Sequence, residues 1–321
     1  NTVTILLGAG DGTFTEATGS PMTVGNNPQG LATSDFDGDG NADLAVANTS
    51  DDTVTILLGA GDGTFTEATG SPVAVGNGPS ALATSDFDGD GNMDLAVANA
   101  TDNTVTILLG AGDGTFTEAT GSPITVGSVP QALAAVDFNG NGTVDLAVMN
   151  TSDNAVTILL GAGDGTFTEA STSPFELGEF PRDLLAADLN GDGRPDLVSA
   201  NLNTHTVTVL LNVPLMVTIE DVQVLEGDEG DANTAVFTVR LNFDPGVPVT
   251  VNYATADGSA IAGVDYDEVS GTLTFDGTTE QTITVPIIGN DTMQPDRTFV
   301  VNLSDPAVDD GTLITRERDQ A

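Results

Sequence analysis

A period of 51 residues runs through the first two thirds of the chain and decides most of what it can fold into. The string DFDGDG begins at Asp35 and again at Asp86, and its relatives DFNGNG and DLNGDG begin at Asp137 and Asp188, each 51 residues after the last. TVTILLGAGDGTFTEA keeps the same step from Thr2, Thr53 and Thr104, with AVTILLGAGDGTFTEA from Ala155. Residues 2–52 and 53–103 differ at nine of 51 positions. A unit this short buries its apolar face only against another copy. A fixed period of this size, with four short strands in each unit, points to a propeller or solenoid.

Within one period the strands are legible. LATSDF (31–36) and DLAVAN (43–48) flank the acidic loop; TVTILLG (53–59), TFTEA (64–68) and VAVG (73–76) follow. β-Branched residues alternate with small or polar ones, which favours strands, and GAGDG and GNNP supply turn chemistry. Four antiparallel strands per period make one blade. The copies amount to three whole blades, a leading half blade and a trailing three-strand blade over residues 1–212, fewer than a typical ring of six to eight. The expectation is therefore an arc of about four blades. After NVPL (212–215) the period stops, and six or seven alternating strands separated by Gly, Asp and Pro read as a β-sandwich over 213–321. The ending RERDQA leaves that sandwich short of its closing strand, so it is expected to be truncated there.

Six Lys+Arg against 48 Asp+Glu give a formal net charge of −42, and all six basic residues are arginine. A chain so poor in cations has little with which to neutralise phosphates, which argues against nucleic acid and anionic membranes and favours cations as ligands. Thirteen of the acids lie in the four repeated loops, which a general surface bias does not explain. With no cysteine, thiolate sites and disulfides are excluded. No apolar run approaches the ~20 residues of a membrane span, so direct membrane insertion is not expected. The chain opens on Asn1 without a signal-peptide pattern, which reads as a mature product or a fragment.

Calcium takes six to eight hard oxygens. In the first loop, Asp35, Asp37, Asp39 and Asp43 stand at positions 1, 3, 5 and 9, with the carbonyl of Asn41 at 7. The alternation lets one tight loop turn successive oxygens inward. An EF-hand would need Glu at position 12, where Val46 stands on a strand, so the expectation is a calcium loop in a β-hairpin. Four carboxylates in nine residues without a cation would raise their pKa values by mutual repulsion. No base or nucleophile accompanies the cluster, which argues against catalysis. His205, the only histidine, falls in a hairpin turn at the position of Asp52, Asn103 and Asn154, and is read as a solvated turn residue. GAGDG enters a strand rather than a helix and lacks the lysine of a phosphate loop, so Asp11, Asp62, Asp113 and Asp164 are read first as turn residues.

DFDGDGNADLAVAN followed by TVTILLGAGDGTF resembles the FG-GAP repeats of integrin alpha chains and their bacterial VCBS-type relatives, across residues 1–212. The resemblance implies a propeller with calcium on the loop joining two strands of each blade. Carried over residue by residue, the ligands would be Asp35, Asp37, Asp39, Asn41 and Asp43 in the first loop, and Asp86, Asp88, Asp90, Asn92 and Asp94 in the second. The third would use Asp137, Asn139, Asn141 and Asp145, and the fourth Asp188, Asn190, Asp192 and Asp196. The turn GAGDGTF has Gly where the family name has Pro, so the partner-binding properties of integrins are not carried over. Residues 216–321 resemble a Calx-beta domain, an Ig-like sandwich, in ATADGSAIAGVDYDEVSGTLTF and QTITVPIIGND. That resemblance implies Glu226, Asp257 and Asp291 as metal ligands, while Gly289, Asn290 and Gln294 stand where the family has acids.

The function expected from the sequence is a non-catalytic, calcium-binding scaffold for adhesion or interaction in an extracellular or cell-surface modular protein, with a protein or glycan partner. Two alternatives remain open. A carbohydrate-binding propeller would need aromatic platforms, yet there is no Trp and both tyrosines lie outside the repeats. An accessory region of a secreted enzyme would have its catalytic domain elsewhere.

Overall fold

The computed structural model describes residues 1–307 and 315–317, and every regular element among them is a β-strand. Two compact units result: Asn1–Asn212 with the short strand Thr315–Glu317, and a second unit that starts at Val213.

In the first unit the repeat becomes a series of antiparallel sheets. The first blade runs Pro28–Ser34, Asp43–Asn48, Thr53–Gly59 and Phe65–Glu67, with Val73–Ala74 also paired to its third strand. The second blade, from Pro79–Ser85 to Ile124–Thr125, and the third, from Pro130–Val136 to Phe175–Glu176, repeat this order. Register is conserved across copies: Leu44 faces Leu57, Leu95 faces Leu108, Leu146 faces Leu159 and Leu197 faces Leu210. A slip of one residue would turn the apolar set to the wrong face, so each stacked neighbour holds the register. The second and third strands are almost wholly buried, as with Ala45, Val54 and Ile56, because a blade is covered on both faces by its neighbours.

Stacking is consecutive, sheet against next sheet, in an arc. Phe36, Val54 and Ile56 of the first blade share a core with Leu95, Val97 and Leu108 of the second. Phe36 meets Phe116 edge to face at 5.4 Å, and Phe87 meets Phe167 at 5.5 Å in the next junction. Two small pairs precede the first blade: Thr2–Val3 with Met22–Thr23, and Leu6–Gly8 with Phe14–Glu16. The fourth blade has Pro181–Ala187, Asp196–Asn201 and Thr206–Leu211. Its fourth position is taken by Thr315–Glu317, which pairs antiparallel with Thr206–Leu211. The sequence reading includes that segment in the sandwich region, 213–321.

The second unit has two three-stranded sheets. One orders Val217–Ile219, Ala232–Leu241 and Glu280–Ile288; the other orders Ser270–Phe275, Val249–Asp257 and Phe299–Ala307. Val239, Val249, Val251, Tyr266, Phe275 and Val285 fill the space between them. Tyr266 stacks on Phe299 at 4.4 Å. The truncation expected at the end of the sandwich falls on residues that, apart from 315–317, lie outside those described.

Candidate metal centre

Each acidic loop connects the first and second strands of a blade, and its ninth residue holds it in place. Asp43 is fully buried; its Oδ2 accepts the Phe36 N–H at 2.7 Å and its Oδ1 accepts the Gly59 N–H at 2.7 Å. One carboxylate thus ties the start of the loop to the end of the third strand. Asp94 does the same with Phe87 and Gly110, Asp145 with Phe138 and Gly161, and Asp196 with Leu189 and Asn212. The two oxygens satisfy two backbone donors that burial would otherwise leave unpaired. Sequence reasoning misses this structural duty. The signal available is the retention of an acid at position 9 in all four loops.

The rest of the loop winds around its first residue. Asp35 accepts the Gly38 N–H through Oδ1 and the Gly40 N–H through Oδ2, both glycines having positive φ. Asp37 accepts the Asp39 N–H at 3.1 Å. The result brings one carboxylate oxygen each of Asp35, Asp37 and Asp43 within 4.8 Å of one another, and Asp86, Asp88 and Asp94 form the same group in the second loop. Oxygens on opposite sides of a calcium ion stand about 4.6–5.2 Å apart, twice the Ca–O distance, so both groups fit such an ion. Asp39 and Asp90 lie outside the groups. The Asp39 carboxylate accepts the Asn41 backbone N–H at 2.7 Å and its side-chain amide at 2.8 Å, and Asp90 does likewise with Asn92.

Electrostatics separates these roles. Loss of hydration raises Asp37, with Asp43, Asp39 and Asp35 adding repulsion. Burial pushes Asp94 up to about 6, helped by Asp88 and Asp86 and opposed by the Gly110 and Phe87 amides. Asp39 moves the other way, lowered chiefly by the Asn41 backbone amide. Crowding therefore raises some of these acids but not all, because Asn41 relieves the outermost one.

The third and fourth loops are poorer in donors. The third has two acids, Asp137 and Asp145, and Asn139 and Asn141 accept the N–H groups of Asn141 and Thr143. In the fourth, Asp188 organises the turn as Asp35 does. Asn190 replaces the third-position acid, and Asp192 is drawn to Arg194, 2.7 Å away. Arg194 occupies the place of Asn41 and so brings its own cation. Neither loop forms a three-acid group among the described residues.

The GAGDG turns serve the loops next to them. Gly61 has φ of 76°, and a Cβ there would strike the Asn41 side chain. Asp62 Oδ1 accepts the backbone N–H and hydroxyl of Thr64, an Asx-type turn repeated at Asp11, Asp113 and Asp164. Gly114 N–H reaches the Phe36 carbonyl at 3.0 Å, and Gly165 N–H reaches that of Phe87 at 3.0 Å, fastening these acidic loops to the following blade. His205 is exposed with φ of 55°, and the equivalent Asp52, Asn103 and Asn154 also have positive φ.

The acids proposed for the second unit have other partners. Glu226 accepts from the Asn290 amide, Asp291 accepts the Glu229 N–H at 3.1 Å, and Asp257 accepts the Tyr266 hydroxyl at 2.7 Å and the Ala262 N–H at 2.9 Å. They do not form a three-acid group among the described residues. Nearby, both Arg297–Asp265 contacts are short, 2.6 and 2.7 Å. Burial works to raise Asp265, but Arg297 and the Ile261 N–H outweigh it and hold it below the usual carboxylate range.

A chain of stacked, identically registered sheets carrying Asp-rich hairpin loops defines a class of repeat protein. The FG-GAP-like repeat model matches residues 1–46, 35–97, 86–148 and 137–199, more than half of the sequence, and the chain belongs to that family. The Calx-beta domain model matches residues 212–319. Sodium/calcium exchanger 1 of Canis lupus familiaris is 37% identical over 81 residues, covering 25% of this chain and 8% of the exchanger. Sodium/calcium exchanger 3 of Rattus norvegicus is 38% identical over 76 residues, covering 23% of this chain and 8% of that protein. The chain thus spans less than a tenth of the length of these relatives. The solved apo-form Calx CBD1 domain is 26% identical with a TM-score of 0.23, covering 26% of this chain and 79% of that one. No helix among the described residues is long and apolar enough to cross a membrane.

The acid groups carry a pH signature. The folded-state pKa of Asp94 lies near 6, above its ordinary value of 3.8. The folded chain therefore holds this proton more tightly than the unfolded chain, and the stability it contributes is present below about pH 4 and lost as pH rises through 6. A bound cation favours the ionised form and removes that loss. Calcium affinity at the second loop should fall as pH is lowered from about 7 to 5, with proton release on binding near pH 6. Calorimetry in buffers of different ionisation enthalpy measures that release.

Proposed function

We propose that this chain is a non-catalytic, calcium-stiffened interaction scaffold, made of a repeat module over 1–212 and a Calx-beta module over 213–321. Its setting is extracellular or at a cell surface, in contact with a protein or glycan partner. The observation that carries the calcium reading is the recurrence of one three-carboxylate group, Asp35, Asp37 and Asp43, as Asp86, Asp88 and Asp94, 51 residues on. Each group is anchored by a buried acid, so an ion placed there would lock the loop to two strands. The Asn41 and Asn92 carbonyls are available to complete the shell, whereas Asp39 and Asp90 would first have to release the Asn41 and Asn92 amides. The third and fourth loops, with Asp137, Asn139, Asn141 and Asp145, and Asp188, Asn190, Asp192 and Asp196, are weaker sites by donor charge. Glu226, Asp257 and Asp291 contribute least, since they form no three-acid group among the described residues. The expected whole-protein role is that of a spacer whose rigidity depends on calcium.

Limited proteolysis in EDTA and in millimolar calcium tests the stiffening. Cleavage within residues 35–43 and 86–94 should slow at least severalfold with calcium, whereas cleavage in the second unit should change little. Equal protection of both units, or none, would go against this reading.

A further inference from the structure

Asn150 ends the second strand of the third blade, the strand that starts at Asp145. At ~3.4 Å per residue it therefore lies about 17 Å from the acidic loop, at the other end of the blade. It is 1% exposed; its Nδ2 donates to the Thr157 hydroxyl at 2.8 Å, while its Oδ1 has no hydrogen-bond partner among the described residues. A buried carbonyl without a donor is costly, and it marks a place where a donor belongs. Asn150 lines a cavity of about 350 Å³ between the last strand of the second blade and the third blade, a volume in the range of small-molecule sites. Ala155 and Thr157 are its other buried walls. Val126 and Pro174 add apolar surface, and Asp153 and Glu169 add negative charge.

Asn48 and Asn99 share the unpaired oxygen, but the third copy differs around it. Asn99 Nδ2 reaches the hydroxyls of both Thr104 and Thr106; Ala155 stands in place of Thr104 and removes one hydroxyl from the wall. Asp102 accepts the backbone N–H and the side-chain amide of Asn77, whereas Ser128 stands in that place in the third copy and gives Asp153 only its backbone N–H. A Cβ on Gly127 would meet Asp153 Oδ2 at 2.6 Å and Asn150 Cγ at 2.7 Å, so these two side chains lie side by side. Both departures from the repeat take protein atoms away from the same spot.

We propose that this cavity binds a small organic cation, a primary ammonium on a short aliphatic body. Its N–H groups bond Asn150 Oδ1 and the Asp153 carboxylate, and Val126 and Pro174 cover its carbons. An ammonium brings three donors and no acceptor, which suits walls that offer carbonyl and carboxylate oxygens. Neither Asp153 nor Glu169 belongs to a three-acid group among the described residues, and the volume exceeds what a bare metal ion fills, so an organic cation fits better than calcium. Added salt screens the attraction and weakens binding. This inference does not rest on the calcium reading.

Calorimetric titration of butylamine into the whole chain, at low salt and near neutral pH, tests it, with butanol as the uncharged counterpart. The native chain should bind one butylammonium saturably, and butanol at least tenfold more weakly. Ala155→Thr and Ser128→Asn each restore the residue that the second blade carries, so both should fold, which circular dichroism checks. Together they fill the wall and give Asp153 an amide again, and they should weaken butylamine binding by about tenfold or more, the effect of losing a hydrogen bond to a charged group. Since the double variant keeps the net charge of −42, diffuse attraction of amines to an acidic chain would survive in it. A native chain without saturable butylamine binding, a double variant that binds like the native chain, or butanol binding as tight as that of butylamine would overturn the proposal.

Discussion

Asp145→Ala should lower the unfolding free energy of the repeat unit by about 2–5 kcal/mol in EDTA, since each buried donor left without its acceptor costs about 1–3 kcal/mol. Asp145 is fully buried and accepts the N–H groups of Phe138 and Gly161, both at 2.9 Å, and of Asn139 at 3.3 Å. Burial raises its pKa, so removing the charge returns part of the loss at neutral pH, which favours the lower half of that range. Its loop has too few acids for a strong ion site, which isolates the structural role. Asp37→Asn is the contrasting change. Asp37 accepts a single exposed N–H and is held above its ordinary pKa by lost hydration and by neighbouring carboxylates. Neutralising it should leave stability in EDTA unchanged or slightly higher, and should reduce the gain from calcium. Denaturant unfolding of both variants with and without calcium measures the difference. A cost below about 1 kcal/mol for Asp145→Ala would mean that those amides find other acceptors.

Calcium itself should have the second large effect. An ion that binds the folded state alone stabilises it by RT ln(1 + [Ca]/Kd), ~2.7 kcal/mol per site at about a hundredfold excess over Kd. Two filled loops of the first kind would give about 5 kcal/mol, and the melting temperature of the repeat unit should rise by about ten to twenty degrees between EDTA and saturating calcium. Further gain at higher calcium would come from the third and fourth loops, the fourth being opposed by Arg194. The second unit should melt at nearly the same temperature in both conditions, since Arg297 already neutralises Asp265 and the acids nearby have protein partners.

The repeat, the strand positions and the acidic loops are legible in the sequence because each depends on local chemistry: alternation, turn glycines, and acids at odd positions. The sandwich is legible for the same reason. What the sequence conceals depends on distance along the chain. Position 9 looks like one ligand among five, yet Asp43 reaches Gly59, 16 residues away, and that contact exists only once the hairpin has formed. Asp39 looks equivalent to Asp37, but the Asn41 amide two residues on turns it out of the group. In the fourth loop, three acids suggest an intermediate site, and the Asp192–Arg194 pair shows how one substitution changes the loop's charge. The ending GTLITRERDQA allows one short strand, and its pairing with Thr206–Leu211, distant along the chain, has no local signal. Unpaired strand edges recruit whatever strand is near.

Calorimetric titration of calcium into the native chain and into the Asp37→Asn/Asp88→Asn double variant bears most directly on the calcium assignment. Two strong sites are expected in the native chain, both lost or greatly weakened in the double variant, while weaker binding by the other loops persists. A native chain that takes up no calcium, or a double variant that retains both strong sites, would contradict it.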